Sequence, residues 1–271
     1  MSSAAIEQGV APGEVSGLVS GQKKSLLSIT FHIETLRMIA FINFDIVMIV
    51  CSFLTKHYVD IPTDETVIYK IFGFNHACNV LDHHPARELG AILLIFMILP
   101  FAAFIFLSHY RTRYAYETGE VPKWLLVYSN ITSPFNFMAV CWTYMWFVNA
   151  PDDTYGFVAH YIPYLAFQTM LALVAFHQVA YLIYLNKVPF GVSPKVAIGY
   201  AIFLTLLTIV YTVYVVSILV GSPVWDSVNN AGDRLFAEIV AKIYSVFVLI
   251  IPIILAAVER RNGDVHTLSF S

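Results

Sequence analysis

Six runs of about twenty or more mostly apolar residues divide this chain, and a run of that length fits the hydrocarbon thickness of a bilayer when wound as an α-helix. They cover residues 27–54, 89–108, 124–148, 157–185, 196–220 and 235–258. Backbone amides inside a bilayer have no water to bond to, so such runs must satisfy themselves as helices. The sequence therefore predicts an all-α polytopic bundle of six transmembrane helices. A polar tail, 1–26, precedes the transmembrane domain at 27–258, and a short tail, 259–271, follows it. The N-terminal tail reads as disordered or peripheral.

The basic residues orient the bundle. Lys23, Lys24, Arg111, Arg113, Lys123, Lys187, Lys195, Arg260 and Arg261 fall on one side, nine in all, against Lys56, Lys70, Arg87 and Arg234 on the other. The richer side is the cytoplasmic one, which places both termini inside. Tyrosines and tryptophans near the run ends, such as Trp124, Trp146 and Trp225, suit an interfacial belt.

Composition agrees: only 12% of the residues are charged, against roughly 25% in a soluble domain. The net charge is −3 and the basic residues form no stripe, so nucleic acid is not an expected partner. The expected surroundings are the lipid bilayer, with other membrane subunits or copies of the chain as further partners. Which membrane is not specified. Cys51 and Cys78 either pair outside the membrane or stay as free thiols packed like small apolar groups. The sequon Asn130-Ile131-Thr132 lies inside the third run and is discounted.

Charges inside the runs are costly and mark the best site candidates. Glu34 and Arg37 are three apart and can pair near the cytoplasmic boundary. Asp45 has no cation one turn away. Glu238 and Lys242 are four apart with the acid first, the favourable order for a helical pair. Asp45 and Lys242 lie at similar depth below the outer surface, which predicts a contact between the first and last spans. Asn136 and Gln168 reach comparable depths. Together Asp45, Glu238, Lys242, Asn136 and Gln168 form the expected transport or ion-pair site.

The loop 55–87 is the only long one, and it is exoplasmic. Val67–Phe72 has partial strand character and predicts a short hairpin. His76, Cys78, His83 and His84 supply ligand types that suit zinc or copper. His177 with His32 or His109 could hold a haem, but the outer half offers only His160, so haem is not expected. No nucleotide-binding glycine pattern, nucleophile elbow or zinc-protease motif is present.

Glu238-Ile-Val-Ala-Lys242 resembles the retinal-bearing helix of microbial rhodopsins, where an acid precedes the Schiff-base lysine by four residues. The resemblance covers one helix. It implies seven spans and a carboxylate in the third, whereas this chain has six runs and none there, so Asp45 would have to substitute. Retinal is therefore a lesser alternative. The leading reading is a small channel, transporter or sensor with a buried charged site. The competing readings are a non-catalytic subunit or scaffold of a larger membrane complex, and a membrane enzyme with a metal in the exoplasmic loop.

Overall fold

A computed structural model describes residues 5–8, 27–60, 62–149, 154–185, 193–262 and 266–270. Nine α-helices carry the fold among these residues. They are α1 (Ile33–Tyr58), α2 (Val67–Phe72), α3 (Ala86–Leu93), α4 (Ile95–Glu117), α5 (Lys123–Val148), α6 (Thr154–Tyr184), α7 (Pro194–Leu219), α8 (Ala231–Ser245) and α9 (Ile251–Asn262). Three short strands, β1 (Ala5–Gln8), β2 (Leu27–Phe31) and β3 (His266–Phe270), form one antiparallel sheet in the order β1-β3-β2.

Five helical rods are long and apolar enough to cross a membrane: α1, α3 with α4, α6, α7, and α8 with α9. The chain is a multi-pass membrane protein in that sense. The remaining long helix, α5, carries the polar run Tyr128-Ser-Asn-Ile-Thr-Ser-Pro-Phe-Asn136. It nonetheless packs among the others, against α3, α4 and α6. Its buried residues Leu125, Ser129, Thr132, Asn136, Ala139 and Thr143 recur every three or four positions, the spacing of one helix face. Neighbours satisfy part of that face: Ser129 Oγ meets His109 Nδ1 at 3.0 Å, and Tyr128 donates to the Leu173 carbonyl at 3.0 Å.

Lipid-facing stripes have the same periodicity. On α1, Ile39, Ile42, Ile46, Ile49 and Phe53 are exposed, while Ala40, Phe44, Val47 and Cys51 are buried. Gly90 lets α3 come close to α1 and α5, since a Cβ there would lie 2.9 Å from Cys51 Sγ and 3.2 Å from the Phe147 ring. Cys51 and Cys78 are buried free thiols. A π-turn, Val246–Ile250, joins α8 to α9. Pro252 cannot donate to the carbonyl four residues back, and the Ile251 amide bonds to Val246, five back.

Three elements differ from the sequence expectation. The first helix begins at Ile33, not at residue 27, because 27–31 forms β2. In Leu27-Ser-Ile-Thr-Phe31 apolar and hydroxyl residues alternate, a strand pattern, and the segment pairs with β3 from Leu27 opposite Phe270 to Phe31 opposite His266. The tails 1–26 and 259–271 contain β1, the end of α9 and β3. Their other residues, Lys23 and Lys24 among them, lie outside the described residues. Finally, 67–72 is helix rather than hairpin. Thr66 Oγ1 caps it by accepting from the Tyr69 amide at 3.2 Å, and Ile68 and Phe72, four apart, are fully buried.

Gly73 ends α2 at φ 73°. A Cβ there would sit 2.2 Å from the Ser227 carbonyl oxygen in the α7–α8 loop. Gly73→Ala is thus expected to lift the 59–85 loop off the bundle at a cost of about 1–3 kcal/mol. Faster tryptic cleavage at the exposed Lys70 in sealed, outward-oriented vesicles is the expected readout. An unchanged cleavage rate would contradict this docking.

Candidate functional site

The loop between α1 and α3 is partly folded into the bundle. It is pinned to α1 by Thr55 Oγ1, which donates to the Val80 carbonyl at 2.9 Å. From there it drives His76 and Cys78 into the bundle, where both are buried. Asn75 is exposed on the other side of the same short segment, bonded to Asn79 Nδ2 at 2.8 Å.

His76 Nδ1 accepts from the Cys78 amide at 3.2 Å. That leaves Nε2 protonated, and it donates to the Tyr211 hydroxyl in a short hydrogen bond. Around this pair stand Tyr161 and Tyr164 of α6, with ring centroids 6.3 Å from the imidazole. Tyr244 of α8 stacks on Tyr211 at 5.4 Å. Gln168, one turn below Tyr164, has no exposed surface. Neither of its amide atoms, nor the Tyr161 and Tyr244 hydroxyls, completes a well-formed hydrogen bond, although the Tyr164 and Thr208 hydroxyls lie close to Gln168 and Tyr244.

Tyr164, Gln168 and Tyr244 border a cavity of about 30 Å³ between α1, α6 and α8, whose walls also include Cys78 and Trp146. It has room for about one or two water-sized molecules. A larger cavity of about 360 Å³ lies on the outer side, lined by Ser52, Thr55, Lys56, Asn75, Asn79 and His83. The Asn75–Asn79 segment is the partition, with Cys78 facing the chamber and the two asparagines facing the larger vestibule. His160 holds the Trp146 wall in place: it accepts from Trp146 Nε1 at 3.0 Å and bonds the Asn149 carbonyl through Nδ1 at 2.8 Å.

Burial, with His160 nearby, pushes the His76 imidazole down to about 3, from 6.5. Between these values the unfolded chain binds a proton that the folded chain refuses. The stability from neutral His76 is therefore complete above about pH 6.5 and falls as the pH drops toward 3. The expected loss between pH 7 and pH 5 is about 2 kcal/mol. His76→Phe should flatten that part of the pH profile in a denaturant titration; an unchanged slope would contradict the assignment. The Cys78 thiol is pushed up by burial and by Asp82, which disfavours the thiolate that metals bind.

Below the chamber an aromatic layer closes the bundle: Phe44 and Phe167 at 5.9 Å, Phe101 and Phe167 at 6.4 Å, Phe41 and Phe101 at 5.3 Å. Beyond it is a cavity of about 20 Å³ bordered by Arg37, Phe41, Phe101 and Tyr200. Val248 of the π-turn touches both this cavity and the chamber.

A second buried polar network lies at the end of the bundle where the chain enters and leaves it. Glu34 pairs with Arg37 at 3.0 Å, accepts from Gln178 Nε2 at 2.7 Å and lies 3.6 Å from Arg111. Arg111 also donates to Gln178 Oε1 in a short bond, and its guanidinium stacks 4.3 Å from the Tyr181 ring centroid. Thr112 gives its proton to the Ser108 carbonyl and receives one from His177 Nε2 at 3.0 Å. Three helices, α1, α4 and α6, are joined here.

The residues predicted from sequence are partly dispersed. Gln168 and Cys78 reach the chamber, and His76 packs behind it against Tyr161, Tyr164 and Tyr211. Asn136 is buried on α5 with its Oδ1 unbonded. Glu238 and Lys242 pair at 2.6 Å, but the Lys242 side chain is 72% exposed on the outside of the bundle. Asp45 is half-buried, and no ion pair joins it to Lys242. The first and last spans do pack together, through α1 and α9, but not through this ion pair: equal depth did not mean the same azimuth. An exposed Lys242 also lacks the enclosed pocket that a retinal lysine needs. The proposed metal ligands separate, because His83 lines the vestibule and His84 points outward to Glu88 at 3.2 Å. Among the described residues no three His, Cys, Asp or Glu side chains come together. Sequence reasoning did not single out Tyr161, Tyr164, Tyr211 and Tyr244, and it placed Arg111 in a loop. Mid-span position was the available signal for Tyr211 and Tyr244. No known protein family, curated protein or solved structure matches this chain, so its chemistry is read from these side chains alone.

Proposed function

We propose that this chain is a six-span carrier for a small, neutral, hydrogen-bonding solute, with both termini cytoplasmic. One observation carries the reading. Gln168 presents a buried donor and a buried acceptor to a cavity, beside the Tyr244 hydroxyl, and none of these groups completes a well-formed hydrogen bond. Buried polar groups are nearly always bonded, and exceptions call for a reason. A solute with its own donor and acceptor supplies the missing partners.

The order of cavities supports transport over simple binding. A solute entering from the vestibule meets the His76 partition, then the chamber, then an aromatic septum with a further cavity behind it. The π-turn borders both inner cavities, and such turns concentrate at functional sites. The paired chain ends support six spans: β2 leads into α1 and β3 follows α9 in one sheet, which favours both ends on one side and an even number of crossings, with α5 as the sixth. The basic-residue bias favours the cytoplasm as the shared side.

The test is stopped-flow light scattering on proteoliposomes under urea or glycerol gradients. The reading expects solute entry well above that in protein-free vesicles. Entry no faster than through lipid alone, for water, urea and glycerol alike, would overturn it.

A further inference from the structure

Lys242 poses a problem that one copy of the chain does not solve. It lies within an apolar rod, flanked by the exposed residues Ile239, Ile243 and Val246, so its ammonium stands on a lipid-facing stripe. Its partner Glu238 is itself about one-third exposed. On α1, Asp45 lies beside the exposed Ile42, Ile46 and Ile49, with no ion pair and no hydrogen bond among the described residues. Charges facing hydrocarbon are expensive and are normally turned toward protein or water. Lys242 has a long side chain that can reach toward the outer interface, but Asp45 is too short to do so from the middle of its helix.

The geometry points to a second copy of this chain as the occupant of this face, related by a two-fold axis along the membrane normal. In that arrangement Asp45 of each protomer meets Lys242 of the other. A two-fold interface must be self-complementary, and this face is, because it carries an acid and a base. The depths agree. Asp45 is thirteen residues from the outer end of α1 and Lys242 eleven from the start of α8, or about 20 Å and about 17 Å at helical rise. The two elements are also neighbours, since α1 packs against α9 and the π-turn that continue α8. Lys242 has three donors. Glu238 takes one at 2.6 Å, and the others are available to the partner's carboxylate. The dimer also covers the gap between α1 and α8 beside the chamber.

The experiment co-expresses two differently tagged populations, one Asp45→Cys and one Lys242→Cys, each with Cys141→Ala to remove the exposed thiol. Oxidative cross-linking in native membranes is expected to give a species that carries both tags. Single-molecule subunit counting in lipid vesicles provides the second measurement. Wild type is expected to be dimeric, Asp45→Lys to weaken association by about tenfold or more through like-charge contact, and Asp45→Lys combined with Lys242→Asp to restore it. A monomeric wild type, a stoichiometric foreign partner on a single copy, or a reversal with no effect would each overturn the inference.

Discussion

Replacing Glu34 with alanine is expected to destabilise the protein by about 3–5 kcal/mol, the usual cost of removing one partner from a buried ion pair. The carboxylate is shared by Arg37, Arg111 and Gln178, so the substitution removes the common acceptor of two buried guanidinium groups. Arg111 would keep only the Gln178 carbonyl and the Tyr181 ring face. Glu34→Gln should cost less, since it retains an acceptor and the helix contacts. Equilibrium unfolding in mixed micelles, followed by tryptophan fluorescence, measures the difference. A loss below about 1 kcal/mol, the level of an exposed pair, would mean that the network is wet and does not join α1, α4 and α6.

Gln168→Leu is expected to act in the opposite sense on stability while abolishing solute entry. An amide buried without good partners incurs a desolvation penalty of about 1–3 kcal/mol, and leucine of similar size removes it. The variant should therefore unfold at the same denaturant concentration as wild type or a higher one, and its proteoliposomes should behave like protein-free vesicles. A structural glutamine would show the reverse: lower stability with transport kept. Tyr161→Phe deletes a buried hydroxyl that has Cys78 close by but completes no well-formed hydrogen bond, and should give a milder version of the same split.

Much of the helical architecture was legible in the sequence because hydrocarbon imposes one dominant rule, length and apolarity, on every crossing element. The boundaries of α5, α6 and α7 fall within three residues of expectation for that reason. Where another force acted, the rule failed. Leu27–Phe31 is apolar enough to extend a span, but its alternation and its partner more than 200 residues away make it a strand. Arg111 lies beyond the apolar run, yet α4 continues to Glu117 and buries it on the face that holds Ser108 and Thr112. The candidate site was harder. Depth along a helix can be counted from sequence, but azimuth requires an asymmetric pattern. On α8 both faces are apolar around Lys242, so nothing local showed whether that lysine points inward. The site was split between two unrelated expectations, His76 and Cys78 as metal ligands and Gln168 as a pore residue. Only the folding of the loop into the bundle unites them.

The terminal sheet has a consequence for the order in which the molecule is made. β3 is the central strand and holds both β1 and β2, yet a ribosome delivers it only after the whole bundle has been translated. The two early strands emerge first and wait without a partner while every membrane helix is inserted. Their pairing thus comes only after the last membrane helix has been made. Until then the N-terminal segment is open to chaperones and proteases, and a nascent chain stalled before His266 would expose an unpaired edge that the finished molecule conceals.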